Sequence, residues 1–181
     1  MYNNNIVQNK VNDELSNFIY NTIIDHNFSW YWNENQVYET KSIDQIGGFT
    51  HEFYTQEKSI NSTYFPVVSY LLEEVKNVID VDFIFRAQAN LLCNVKVTEE
   101  QNKNSLHMDY EHDGFFSILY YVINSDGNTI IYNKDKSILE VSPVKGNYVI
   151  FPSSLVHRAS PPTDNKRRMV INIIVKGKLK Q

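Results

Sequence analysis

Apolar residues fall into two different rhythms along this chain. Over residues 11–25, Val11, Leu15, Phe18, Ile19 and Ile23 stand three to four apart, which predicts an amphipathic helix starting near Asn12 or Asp13. Phe28 to Trp32 then alternates and is aromatic-rich, as a strand would be. Gly47-Gly48 opens a polar region running to about Thr63 with little periodicity, read as a long loop over one face and a lid candidate. A second helix is predicted from Phe65 to Val78, with Val67, Val68, Leu71, Leu72, Val75 and Val78 in one stripe and Glu73, Glu74 and Lys76 facing water.

From Val81 onward the period shortens. Val81–Phe85, Ala87–Val97, Phe115–Asn124, Thr129–Asn133, Ser137–Val141, Asn147–Phe151 and Met169–Val175 are short β-branched and aromatic runs. Turn residues separate them at 125–128, 133–136, 145–147 and 161–165. The pattern predicts a mainly β sandwich or barrel buttressed by helices. With no repeat or linker, one domain over 1–181 is expected, a helical and mixed part at 1–80 and a barrel core at 81–176.

Composition narrows the function. Of the 181 residues 42% are hydrophobic, too many for a disordered chain. The formal net charge of -4 disfavours a protein that grips nucleic-acid backbone. One cysteine, Cys93, excludes a disulfide framework and cysteine-based zinc sites. The longest apolar stretch, Phe115 to Ile123, is too short to span a bilayer, and the first residues lack a signal-peptide core. A cytoplasmic location is therefore expected, with no membrane partner.

Chemistry gathers around a few residues. In His107-Met108-Asp109, an extended backbone sends positions i and i+2 to one side, so one imidazole and one carboxylate reach a common point. His157, after the strand Asn147–Phe151 and a turn, is the natural third ligand. Two histidines and a carboxylate form the facial set suited to non-haem Fe(II), which needs open positions. Eleven residues beyond His157, Arg168 opens the last strand. Alternation places Arg168, Val170 and Asn172 on one face and Met169, Ile171 and Ile173 on the other. If the apolar face packs away, Arg168 points in as a bidentate clamp for a carboxylate. Asn90, inside an apolar strand, must find a hydrogen bond and is expected to find it in the pocket. His112 reads as an exposed loop residue, His51 as packing, and Trp30 and Trp32 as braces between helix and sheet.

His107-x-Asp109, then His157, then Arg168, resembles the Fe(II)- and 2-oxoglutarate-dependent dioxygenases, most closely the small prolyl-hydroxylase-like group of phage and bacteria. Arg86-Ala-Gln-Ala-Asn-Leu-Leu, Tyr120-Tyr-Val-Ile-Asn-Ser-Asp-Gly-Asn-Thr, Gly146-Asn-Tyr-Val-Ile-Phe-Pro and His157-Arg-Ala-Ser-Pro carry the rest of the likeness, which spans roughly Val81 to Val175. The resemblance implies a double-stranded β-helix, a jelly-roll of cupin type. It implies Fe(II) on His107, Asp109 and His157, with 2-oxoglutarate as cosubstrate held through its far carboxylate by Arg168. Ascorbate would be a supporting reductant. Because Asp109 is a carboxylate, hydroxylation is favoured over halogenation. Where nucleic-acid demethylases carry a second arginine, this chain has Ile174. Val170 stands where many relatives have Ser or Thr, so a tyrosine hydroxyl should assist Arg168; Tyr121, Tyr120 and Tyr148 are the candidates, with Tyr121 put first. The expected activity is hydroxylation of a prolyl or other amino-acid side chain, in a peptide or small molecule, with release of succinate and CO2. The alternatives are a cupin-type metal-binding protein or isomerase without 2-oxoglutarate, which has no use for an inward Arg168, and an interaction protein with a vestigial site. The oligomeric state is not legible.

Overall fold

The computed structural model describes residues 6–34, 46–99, 101 and 105–180. In chain order the elements are β1 (Val7–Lys10), α1 (Asp13–Ile24), β2 (Tyr31–Asn33), β3 (Gly48–Thr55), β4 (Ser59–Ile60), α2 (Pro66–Val75), β5 (Ile79–Cys93), β6 (Phe115–Tyr121), β7 (Thr129–Tyr132), β8 (Ile138–Val141), β9 (Asn147–Pro152), β10 (His157–Ala159) and β11 (Arg167–Leu179). A large antiparallel sheet runs β1-β9-β6-β11-β5-β3-β2, with β4 paired to β3. A small sheet runs β10-β7-β8. These are the two facing layers of a jelly-roll, and the mainly β expectation holds.

Period-2 alternation lets the large sheet serve two cores. On one face Ala87, Ala89, Leu91, Ile118, Tyr120, Ile150, Met169, Ile171 and Ile173 pack with Ile19 and Ile23 of α1 and Val67, Val68, Leu71 and Val75 of α2. On the other, Leu119, Tyr121, Val149, Phe151 and Val170 meet Ile131 and Val141 of the small sheet. The helices form where expected. Asn12 caps α1 by accepting a hydrogen bond from the Leu15 N–H at 2.9 Å, with Asp13 and Glu14 in the first turn favouring that end. The Asn12 amide also donates to Glu74 at 3.2 Å, tying α1 to α2. Pro66 starts α2, where a missing N–H costs nothing.

Three expectations are corrected. Residues 47–63 are not a loop: β3 pairs with β5 from Phe49↔Leu91 to Thr55↔Arg86, and β4 turns back on it. The register shifts between Glu52 and Tyr54, leaving Phe53 as the extra residue of a bulge. That shift breaks the alternation. The buried, polar His51 hides the rest of it. The runs 81–85 and 87–97 are one strand, β5, ending at Cys93; opposite it the register slips between Ile174 and Val175, so the phase changes at Phe85. Trp30 is half-buried against Phe28, but Trp32 lies 60% exposed over Phe49 on the edge strand β2 and braces no helix. β1 and β10 escaped the pattern because three or four residues carry too little periodicity.

His51 is a core residue, as read. Its Nδ1 donates to the Ser29 carbonyl at 2.7 Å, which leaves Nε2 to accept from Ser62 Oγ at 2.7 Å, and its ring lies 4.2 Å from that of Phe28. Burial pushes its pKa down, partly opposed by the Ser29 bond. A histidine depressed in this way binds fewer protons folded than unfolded. Its stabilisation is full above about pH 6.5 and is lost as pH falls through the lower folded value. Urea midpoints are therefore expected to fall on acidification from about pH 7 to pH 5, and more gently in His51→Gln. An identical slope in the variant contradicts this.

Candidate metal centre

The backbone brings the triad together. His107 and His157 form an isolated antiparallel bridge, each N–H donating to the other's carbonyl at 3.0 and 2.9 Å. Directly opposed residues in such a pair project side by side, and the two rings are 4.3 Å apart. Two residues on, the Asp109 N–H donates to the Ser153 carbonyl at 3.0 Å, which fixes the third member. Ligand atoms of His107, Asp109 and His157 all lie within 4.8 Å of one another.

The histidines are set up alike. His107 Nδ1 donates to the Ser105 carbonyl at 2.9 Å and His157 Nδ1 to the Leu155 carbonyl at 3.0 Å. A carbonyl only accepts, so both Nδ1 atoms carry the proton and both Nε2 atoms present lone pairs. Each Nε2 faces an Asp109 oxygen at 3.6 Å. Two lone pairs and a carboxylate aimed at one point repel unless a cation or proton lies among them. Burial works against the His107 imidazolium, but Asp109 outweighs it and raises the pKa. His157, deeper and beside His107, is pushed down to about 4. Burial alone would raise Asp109, yet His157, His107 and Arg86 hold it well below the usual carboxylate range. The donor set of two neutral imidazoles and one carboxylate fits Fe(II).

Neighbours steer the carboxylate. Ser117 Oγ donates to Asp109 Oδ2 at 2.6 Å and lies 3.0 Å from Ser153 Oγ. Asn172 Nδ2 donates to both Asp109 oxygens at 3.0 and 3.2 Å. Ser117 on β6 and Asn172 on β11 thus anchor the ligand from the large sheet.

At the closed end of the same cavity sits Arg168, 3% exposed. Its Nε donates to the Gly127 carbonyl and its Nη2 to Thr129 Oγ1, each at 2.7 Å. Tyr121 OH lies 2.9 Å from the same Thr129 oxygen, and the Arg168 guanidinium is 5.8 Å from the Tyr121 ring. With Arg168 and Tyr121 both donating to Thr129 Oγ1, the threonine proton is free to point into the cavity. Tyr120 and Tyr148 lie on the helix side of the sheet, so of the three tyrosines Tyr121 stands behind Arg168. Tyr121 itself is buried behind Thr129, which lines the cavity. Asn90 lines it too, accepting from Gln88 Nε2 at 2.9 Å. His112 is exposed and His51 lies elsewhere. The cavity, about 150 Å³, carries apolar wall from Ile46, Leu92, Met108, Leu119 and Val170. Ser117, Thr129, Asn172 and Arg86 were not singled out from sequence. Asn172 and Arg168 share a face at i and i+4, a signal that was available.

Residues 93–176 match the family model described as the 2OG-Fe(II) oxygenase superfamily, a span holding His107, Asp109, His157 and Arg168. Over that span, the barrel core of the chain, the sequence is similar to this superfamily. Solved 2OG-Fe(II) oxygenases share its architecture. A prolyl hydroxylase from Trichoplax adhaerens, in complex with a hypoxia inducible factor oxygen degradation domain peptide fragment, is 13% identical with a TM-score of 0.66, covering 96% of this chain and 84% of that one. A Pseudomonas putida prolyl-4-hydroxylase is 13% identical with a TM-score of 0.59, covering 94% and 92%. The viral collagen prolyl hydroxylase of Paramecium Bursaria Chlorella virus-1, in its 2OG complex, is 13% identical with a TM-score of 0.52, covering 97% and 98%. At these identities the likeness speaks for the fold. No curated protein matches the chain.

The match to the 2OG-Fe(II) oxygenases implies Fe(II) and 2-oxoglutarate for this cavity, whose closed end is tightly packed. A Cβ on Gly127 would stand 2.4 Å from the Ser160 carbonyl oxygen and 3.1 Å from Arg168 Cδ. Gly127→Ala must therefore push apart the backbone that accepts from Arg168 Nε. A loss of about 1–3 kcal/mol of stability is expected in denaturant unfolding; an unchanged midpoint contradicts the close approach.

Proposed function

We propose that this chain acts, as one domain over 1–181, as a 2-oxoglutarate-dependent hydroxylase of a prolyl or other amino-acid side chain, in a peptide or in a small molecule. The observation that carries the reading is the convergence of two unprotonated imidazole nitrogens and a carboxylate in a cavity whose closed end holds a locked guanidinium. His107, Asp109 and His157 would hold Fe(II), and Arg168 with the Thr129 hydroxyl would take the far carboxylate of 2-oxoglutarate. Bound there, Fe(II) and 2-oxoglutarate supply the oxidising power that turns an unactivated C–H bond and O2 into an alcohol, with succinate and CO2 released.

This chain's own residues then have three tasks. Ser117 and Asn172 hold the Asp109 carboxylate so that it does not swing away when its charge is shared with an ion. The carbonyls of Ser105 and Leu155 keep both Nδ1 protons in place, so each Nε2 remains a ligand. Apolar walls keep bulk water from the reacting carbon and strengthen every charge contact inside. A reduced, cytoplasmic setting suits the reading, and none of the helices among the described residues is long and apolar enough to cross a membrane.

Two measurements test this. Under Fe(II) and ascorbate, with a panel of prolyl peptides and free amino acids, the protein is expected to convert 2-oxoglutarate to succinate, and His107→Ala and Asp109→Ala to abolish it. No turnover, with metal content unchanged in His107→Ala, contradicts the proposal. Thr129→Val removes the hydroxyl between Arg168 and the cosubstrate and is expected to raise KM for 2-oxoglutarate roughly tenfold or more. An unaltered KM places the carboxylate elsewhere.

A further inference from the structure

A second guanidinium faces the cavity from its other end. Arg86, Gln88 and Asn90 alternate on the inward face of β5, opposite Ile174, Asn172 and Val170 of β11, while Arg168 is opposite Leu92. Arg86 therefore stands ~20 Å along the strand from the level of Arg168, at about 3.3 Å per residue. The triad lies between: Arg86 Nη2 is 3.6 Å from Asp109 Oδ1. Arg86 is half-buried where Arg168 is buried, so Arg86 marks the open end and Arg168 the closed one.

Unlike Arg168, Arg86 is not locked. Its Nε is buried without a hydrogen-bond partner. Its ion contact at 3.6 Å is longer than a hydrogen bond, and Ser117 and Asn172 already satisfy that carboxylate. A second orphan lies beside it. Asn172, 6% exposed, spends its Nδ2 on Asp109 and leaves Oδ1 buried and unpartnered. A buried donor, Arg86 Nε, and a buried acceptor, Asn172 Oδ1, thus flank the same carboxylate, and each costs free energy until something pairs with it. A guanidinium fork matches a carboxylate, and a lone amide oxygen matches an N–H. Charge points the same way. With Fe(II), Asp109, the 2-oxoglutarate dianion, Arg168 and Arg86 in place, the cavity carries one positive charge in excess, which one further carboxylate neutralises.

We propose that Arg86 binds a carboxylate of the substrate while Asn172 Oδ1 accepts from its nitrogen, so that the substrate is a free α-amino or α-imino acid. This rests on the hydroxylase reading and goes beyond it, because it separates a free acid from a residue inside a peptide.

The test uses the full chain loaded with Mn(II) and 2-oxoglutarate, titrated calorimetrically with the protein amino acids, with the carboxamide of each binder, and with blocked peptides bearing acidic side chains. At least one free acid is expected to bind, with its carboxamide weaker by about tenfold or more. In Arg86→Gln that preference should vanish, acid and amide binding alike, and Arg86→Lys should keep part of it. The unfolding midpoint and Mn(II) content of each variant show that fold and metal are retained. Equal binding of acid and amide to the native protein, no binding of any probe, or an acid preference surviving in Arg86→Gln overturns the proposal. So does loss of Mn(II) in Arg86→Gln, which would make Arg86 a support for Asp109. Binding confined to the acidic peptides overturns the free-acid assignment. Acid binding through Arg86 without succinate release leaves this site standing and removes the hydroxylase reading. Succinate release driven by a substrate without a carboxylate, with Arg86→Gln unaffected, does the reverse.

Discussion

Charged groups enclosed between two β-sheets must be satisfied by fixed partners, and this requirement shapes the interior. An ion taken out of water costs several kcal/mol even after the protein relaxes around it. Asp109 and Arg168 are almost wholly buried, yet they are not paired with each other. Arg168, from the large sheet, donates to Thr129 on the small sheet and to Gly127 just before it. Asp109 takes hydrogen bonds from Ser117 and Asn172 on the large sheet and stands against His157 on the small one. Each charge therefore clips the layers together at its own end of the cavity. The groups that hold the jelly-roll shut at these points are also those that would bind metal and cosubstrate.

That coupling explains why the surroundings are rigid in particular places. Asp126 accepts from the backbone N–H groups of Asp164, Thr163 and Asn165 and from the Thr163 hydroxyl, which holds its carboxyl well below the usual range. It ties the turn before β11 to the turn carrying Gly127, so the Gly127 carbonyl meets Arg168 Nε from a fixed direction. Helices α1 and α2 act at one remove. They cover the outer face of β5, β6 and β11, so the inner face is free to carry polar residues at alternate positions.

Much of this was legible in the chain, for physical reasons that also mark where legibility stops. His107 and Asp109 read correctly as neighbours because two residues of extended backbone fix their relation. Arg168 read as inward because Met169, Ile171 and Ile173 occupy the opposite phase. Local spacing says nothing about partners brought in from other strands: Ser117 and Thr129 reach their places through cross-strand register, whereas Asn172 shares the inward phase of Arg168 on β11. Tyr120 and Tyr121 are adjacent, so only the register of β6 decides which lies on the side of the sheet that carries Arg168. The region 47–63 hid its strand because a bulge at Phe53 shifts the phase and His51 is buried though polar. Arg86 lay in a stretch that carried the family likeness, yet a lone charge on a strand reads as solvent-facing until a cavity is seen beside it.

The central claim is that one cavity holds a metal on His107, Asp109 and His157 and the far carboxylate of 2-oxoglutarate on Arg168 and Thr129. Its most direct test is an anaerobic crystal structure with Fe(II) and 2-oxoglutarate, the metal located by anomalous scattering. The account predicts iron bonded to both Nε2 atoms and an Asp109 oxygen, with the cosubstrate carboxylate against Arg168. Iron outside the triad, or that carboxylate seated on Arg86 instead, would contradict it.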